Sequence, residues 1–103
     1  MKLYIDTSNS EEIVVGVDHE LIHDTAREQR AQRLLGLIRE ELEKRNLGLE
    51  DVTEIKVNTG PGSFTGLRVG VAVANSLGWS LGVPVNDKDI SGDGPIEPRY
   101  ANT

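Results

Sequence analysis

The stretch Val57–Gly70, VNTGPGSFTGLRVG, decides how this chain is read. It begins like a strand and ends like a helix, with glycine, proline, serine and threonine between. Such a junction admits two readings. The free N–H groups at a helix start can hold an anion, and Ser63 and Thr65 would add hydroxyls. Asp6, Gly60, Gly62, Ser63 and Thr65 are then candidate phosphate-binding residues. Alternatively the loop is a tight strand-to-helix turn in which a hydroxyl caps the helix. It is not a nucleotide P-loop sequence, because no Gly-Lys-Ser/Thr follows.

The following helix, about Thr65–Leu81, favours the architectural reading. Gly66, Gly70, Ala74, Gly78 and Gly82 recur every four residues and form one small-residue stripe. Small stripes let another backbone come close. The remainder, Leu67, Val69, Val71, Val73, Leu77 and Leu81, is apolar nearly all round, which predicts burial on more than one side. One side covers a sheet; the other takes the first helix or another chain.

Working outward, Lys2–Asp6 (KLYID) and Ile13–Val17 (IVVGV) read as strands, with a polar turn at Thr7–Glu12. Asp18-His19 predicts a hairpin turn into Glu20–Asp24. Thr25-Ala26-Arg27-Glu28 has the spacing of a capping box. Leu34, Leu35, Ile38 and Leu42 then mark the apolar stripe of a helix, ended by Asn46-Leu47-Gly48 with Gly48 as the left-handed cap. Thr53–Asn58 is a further strand and Val83–Val85 a brief last one. The tail 86–103 is rich in Asp, Gly and Pro and is expected to be irregular. The order β-β-β-α-β-α-β implies a mixed α/β sheet with helices on its faces. It is similar to one ribonuclease-H-like half of the actin/Hsp70-type ATPase fold.

With 103 residues the chain has room for one such half. Only four residues are aromatic, so the core is expected to be Val, Leu, Ile and Ala. A net charge of −6 argues against stand-alone nucleic-acid binding. The absence of cysteine excludes disulfides and thiolate metal sites. No signal peptide is visible, and Val69–Leu81 is too short and interrupted to span a membrane. The expected location is cytoplasmic.

GPGSFTGLRVGVAVANSLGWSLGVPV closely resembles the signature of the TsaB (YeaZ) family. YIDTSNSEEIVVGV resembles that family's opening strand and hairpin, and AQRLLGLIREELEKRNLGLEDVTEIKV its first long helix and next strand. The similarity covers residues 1–85. It implies a non-catalytic subunit of the bacterial machinery that makes threonylcarbamoyladenosine beside the tRNA anticodon. Such a subunit pairs with the catalytic TsaD subunit through its N-terminal-domain helices. The partner interface is expected on Leu34, Leu35, Ile38, Leu42, Gly66, Gly70, Ala74 and Gly78, with homodimers when the partner is absent and tRNA met only through the complex.

TsaD has a similar glycine loop, but after its second helix comes a pair of metal-binding histidines. The segment Val83–Ser91 has none, which favours the non-catalytic relative. Two solvated acids, Asp87 and Asp89, are no metal site by themselves, and His19 and His23 would lie about 13 Å apart along a strand. No metal or cofactor is expected. Ordinary family members carry a second domain of about equal size, which this chain is expected to lack, yet IEPRYANT resembles their closing P-x-Y tail, directly behind the first half. The alternative is half of an ATPase that keeps nucleotide or phosphate affinity at Asp6 and the glycine loop. Asp6 otherwise caps the polar turn. No nucleophile–base pair can be assembled. Arg27, Arg30 and Arg33 read as a solvated helix face, and Gly36 as a point of close approach by a neighbouring backbone.

Overall fold

A computed structural model describes residues 1–99. Strands β1 (Lys2–Asp6), β2 (Glu12–Val17), β3 (Glu20–Thr25) and β4 (Glu54–Val57) form one sheet in the order β3-β2-β1-β4. The first three pair antiparallel as a meander, and β4 joins β1 in parallel. Helices α1 (Arg30–Lys44), α2 (Phe64–Leu81) and the short α3 (Ile90–Asp93) complete the chain, with a single 3-10 turn at Leu49–Asp51. The expected last strand is reduced to Val85, which bridges Ile55 in parallel.

Alternation along the strands sets the layers. Leu3, Ile5, Ile13, Val15, Val17, Ile55 and Val57 are buried. The register places them on one face, with Tyr4, Val14, Gly16 and Lys56 on the other. Both long helices pack on the buried face and against each other. The expected mixed sheet with packed helices is present, with both long helices on one face: the fold has two layers, and no long helix covers the Tyr4 face among the described residues.

The start of α1 also differs from expectation. Thr25 cannot open a capping box, because it still pairs with Glu12 in the sheet. The helix begins at Arg30 behind Gln29, which is left-handed at φ 51 and gives no side-chain cap. Arg30 ties this region down instead. Its guanidinium donates to the carbonyls of Asn9 at 2.8 Å and Ser10 at 2.7 Å, and reaches those of Thr7 and Glu12. Arg33 is likewise spoken for: its Nε donates to Asp24 at 2.6 Å. Only the exposed Arg27, paired with Glu11, matches the solvated-face reading. At the other end Asn46, with φ 57, is the left-handed residue. Leu47 N donates back to Leu42 O at 2.9 Å, closing the helix before Gly48 is reached.

Helix α2 starts and stops where the sequence places it. Ser63 Oγ accepts from Gly66 N, and Gly82 ends the helix in the left-handed region at φ 67. Its small-residue stripe faces the chain's own strands. A Cβ on Gly66 would stand 2.3 Å from Thr7 O, and one on Gly70 2.4 Å from Thr7 Oγ1. The Thr7 hydroxyl donates to Gly66 O at 2.5 Å and accepts from Gly70 N at 2.9 Å. It thus bridges a carbonyl and an amide one helical turn apart, and it is wholly buried.

The tail is not loose over its described length. Ile96 is buried, and the Asn75 amide clasps its backbone, donating to Ile96 O at 2.8 Å and accepting from Ile96 N at 2.9 Å. Tyr100, from the tail that resembles P-x-Y, lies outside the described residues.

These contacts make a stability prediction. Thr7→Ala leaves the α2 stripe without its buried hydroxyl and should destabilise by about 1–3 kcal/mol. Gly70→Ala overpacks the same spot and should cost about 1–3 kcal/mol. The two changes share one space, so the double variant should lose less than the sum of the singles. Chemical denaturation of all four proteins measures the cycle; strict additivity would show that the hydroxyl and the glycine do not meet.

Candidate functional site

Two regions carry the sequence-predicted residues. At the glycine loop, the end of β1 meets the start of α2. Asp6 Oδ1 accepts from Ser8 N at 2.9 Å, and the Tyr4 hydroxyl donates to Asp6 Oδ2 at 3.3 Å. Burial pushes the Asp6 carboxyl up, but hydrogen bonds from Ser8, Asn58 and Tyr4 outweigh it and hold the group below the ordinary aspartate value. Asn58 in turn accepts from Gly60 N at 3.0 Å, so Asp6 buttresses the loop through its neighbour.

The loop is closed against the protein. Ser63 N donates to Ser8 O at 2.8 Å, and a Cβ on Gly62 would stand 2.6 Å from Ser8 Cβ. Gly60 has φ +124 and lies under the Arg99 carbonyl, whose oxygen stands 2.1 Å from the place of a Cβ. Arg99 N also donates to Thr59 O at 2.6 Å. Thus Asp6, Gly60, Gly62 and Ser63 are gathered in one place, but the amides of Gly60, Ser63 and Gly66 already have partners. Thr65 is exposed on the first turn. Sequence reading missed the parts of Ser8, Asn58 and Arg99, because each acts through backbone groups or a local side-chain turn that leaves no periodic signal.

The second region is the outer side of α1 and α2. Here the expected interface needs correcting. Leu34, Ile38, Leu42, Gly66, Gly70, Ala74 and Gly78 are buried in the chain's own interior. Leu37, absent from the expected stripe, is buried beside them, whereas Leu35 points outward at 47% exposure. The helix turns Leu35 away because its inward arc is already filled by Leu34, Leu37 and Ile38. Gly36 has no backbone against it; a Cβ would meet nothing closer than the Arg33 guanidinium at 4.0 Å.

What remains outside is an apolar groove of about 440 Å³. Leu35, Leu47, Leu49 and Leu77 line it, with Arg39 at its edge. Ala72 and Ser76 extend it along α2. His19 sits in the hairpin turn, and His23 pairs with Glu12 across the sheet. Among the described residues no cluster of acids and histidines suits a metal ion, and no helix is long and apolar enough to cross a membrane.

The mixed sheet, the Asp-Thr-Ser turn at its β1 end and the glycine loop opening α2 define one ribonuclease-H-like half of the actin/Hsp70 type. The model of the family described as TsaD, tRNA N6-adenosine threonylcarbamoyltransferase, matches residues 21–87, and the chain belongs to this family. Among solved structures it is similar to YeaZ from Pseudomonas aeruginosa, with TM-score 0.69, 30% identity and coverage of 82% of this chain and 41% of that one. A second solved chain is described as an uncharacterized protein with similarity to peptidase YEAZ from Pseudomonas aeruginosa. It gives TM-score 0.70, 30% identity and coverage of 82% and 40%. The chain therefore spans less than half the length of these relatives. No curated protein matches the sequence.

The Asp6 environment sets a pH dependence. A folded-state carboxyl held below its ordinary 3.8 contributes stability above that value. The contribution is lost as pH falls through the lower folded value. The wild type should therefore lose stability below the ordinary aspartate range, and Asp6→Asn should lose less over the same window while being less stable at neutral pH. Melting temperature recorded from neutral pH down into the acid range checks this; parallel curves for the two proteins would contradict it.

Proposed function

We propose that this chain is a TsaB-like adaptor that binds and stabilises a TsaD-like catalytic subunit in the threonylcarbamoyl modification of tRNA. One observation carries the reading: a family member leaves an apolar groove open along α1 and α2. Solvent-facing apolar surface of this kind is an interaction site by default. Ala72 and Ser76 beside it are small and outward, so a partner backbone can come close. The interface would thus use Leu35, Leu49 and Leu77 while the buried stripe supports it from behind. Without the partner the same groove would pair two copies, and the site of action would be the cytoplasm. tRNA would be met through the complex, because the chain carries a charge of −6.

The adaptor itself would not turn over substrate. Val83–Ser91 carries no histidine, and among the described residues no serine or threonine hydroxyl is hydrogen-bonded to a histidine. The second reading, a nucleotide-binding half, draws on the meeting of Asp6 with the start of α2. It has against it the engaged amides of the loop and the Arg99 backbone across Gly60.

Mixing with the TsaD homologue from the same genome should give a defined complex by mass. Leu35→Asp should weaken it at least about tenfold, roughly 1.4 kcal/mol. Its melting temperature should hardly move, because Leu35 is outside the core. Equal affinity for Leu35→Asp and wild type would remove the groove from the interface. The isolated chain should show no ATPase or transfer activity; turnover abolished by Asp6→Ala would favour the second reading.

A further inference from the structure

Most cations of this acidic chain are committed. Lys2 pairs with Glu54, Lys44 and Arg45 with Glu41, and Lys56 with Asp87. Arg33 pairs with Asp24 and Glu40, Arg30 holds backbone carbonyls, and Arg68 lies over the Phe64 ring. Arg39, like Lys88, has neither ion pair nor side-chain hydrogen bond among the described residues, but Arg39 stands exposed at the mouth of the apolar groove beside Leu35 and Leu77. Glu43 lines the same groove one turn along α1, yet it makes no ion pair with Arg39. A guanidinium at the edge of apolar surface is costly to cover unless a carboxylate meets it, and its planar fork suits a carboxylate in two-point contact.

We propose that Arg39 is the specificity-determining residue of the groove. The segment received there is an amphipathic helix of the catalytic subunit, with apolar side chains against Leu35 and Leu77 and an Asp or Glu opposite Arg39. This rests on the adaptor reading above. A helix is the fitting occupant because the groove runs between α1 and α2 and is flanked by the small Ala72 and Ser76. The charge then acts as a filter: a neutral or basic helix would leave Arg39 desolvated and unpaired.

The test measures the affinity of the full chain for the catalytic subunit at about 50 mM and about 500 mM salt, across which screening tightens severalfold. Wild-type affinity should fall with salt. Arg39→Glu should bind at least about tenfold more weakly at low salt, and Arg39→Met should bind more weakly and lose most of the salt dependence. Melting temperatures should stay unchanged, because Arg39 supports nothing in the fold. Restoring the affinity of Arg39→Glu by an Asp/Glu→Lys change on the partner helix would identify the carboxylate. Arg39→Met binding as tightly as wild type or tighter, while Leu35→Asp fails to bind, would overturn the charge filter and leave the adaptor reading standing. Indifference to both Leu35→Asp and Arg39→Glu, or no complex at all, would overturn both. An Arg39→Glu protein that binds the subunit normally but lowers tRNA retention by the complex would assign the arginine to phosphate contact instead and refute the proposal.

Discussion

One buried hydroxyl joins the two halves of this fold. Thr7 leaves β1 and places its oxygen between Gly66 O and Gly70 N of α2, at 2.5 and 2.9 Å. A hydroxyl can do this because it donates and accepts at once. It can reach the helix backbone only because two glycines stand in front of it. The close approach sets the height of α2 over the sheet. That height lets Ser8 meet the glycine loop, with Ser63 N on Ser8 O at 2.8 Å. The Asp-Thr-Ser turn and the glycine loop are therefore one structural unit, although more than fifty residues separate them in the chain.

The same constraint decides which surface is left for others. Small residues at 66, 70, 74 and 78 are consumed by packing against Thr7, Ile5, Val85 and their neighbours. A helix that sits this low on a two-layer sheet must turn its other apolar positions sideways and outward. There Leu77 of α2 meets Leu35 and Leu49 from the α1 side, and the groove forms. Binding surface and core thus share two helices but not the same residues.

The tail fits this economy. A two-layer half-fold of this size has few ways to bury the outer flank of α2. The described tail supplies one by laying Ile96 against the helix under the Asn75 amide. Its continuation passes over Gly60, the residue whose missing side chain makes room for the Arg99 carbonyl. The glycine loop is packed from both sides, which accounts for its glycines without any bound anion.

Local chemistry made much of this legible in the sequence. Alternation fixed the strands; the hydroxyl of Ser63 and the freedom of Gly82 fixed the ends of α2; the four-residue spacing of small side chains announced a close approach. All of these are near-neighbour effects, and near neighbours are what a linear pattern records. What the stripe approaches was not legible, because a small face toward a sheet and one toward a partner have the same spacing. Leu35 and Leu37 traded places for a related reason. Both fit an amphipathic arc, and only the position of the sheet decides which one turns inward. The start of α1 was set against its own capping signal by strand pairing with Glu12, a contact between segments that the sequence does not rank. The sequence by itself determined the elements and the family signature. The tertiary structure alone decided which apolar face is core and which is surface, because burial depends on what the rest of the chain already covers.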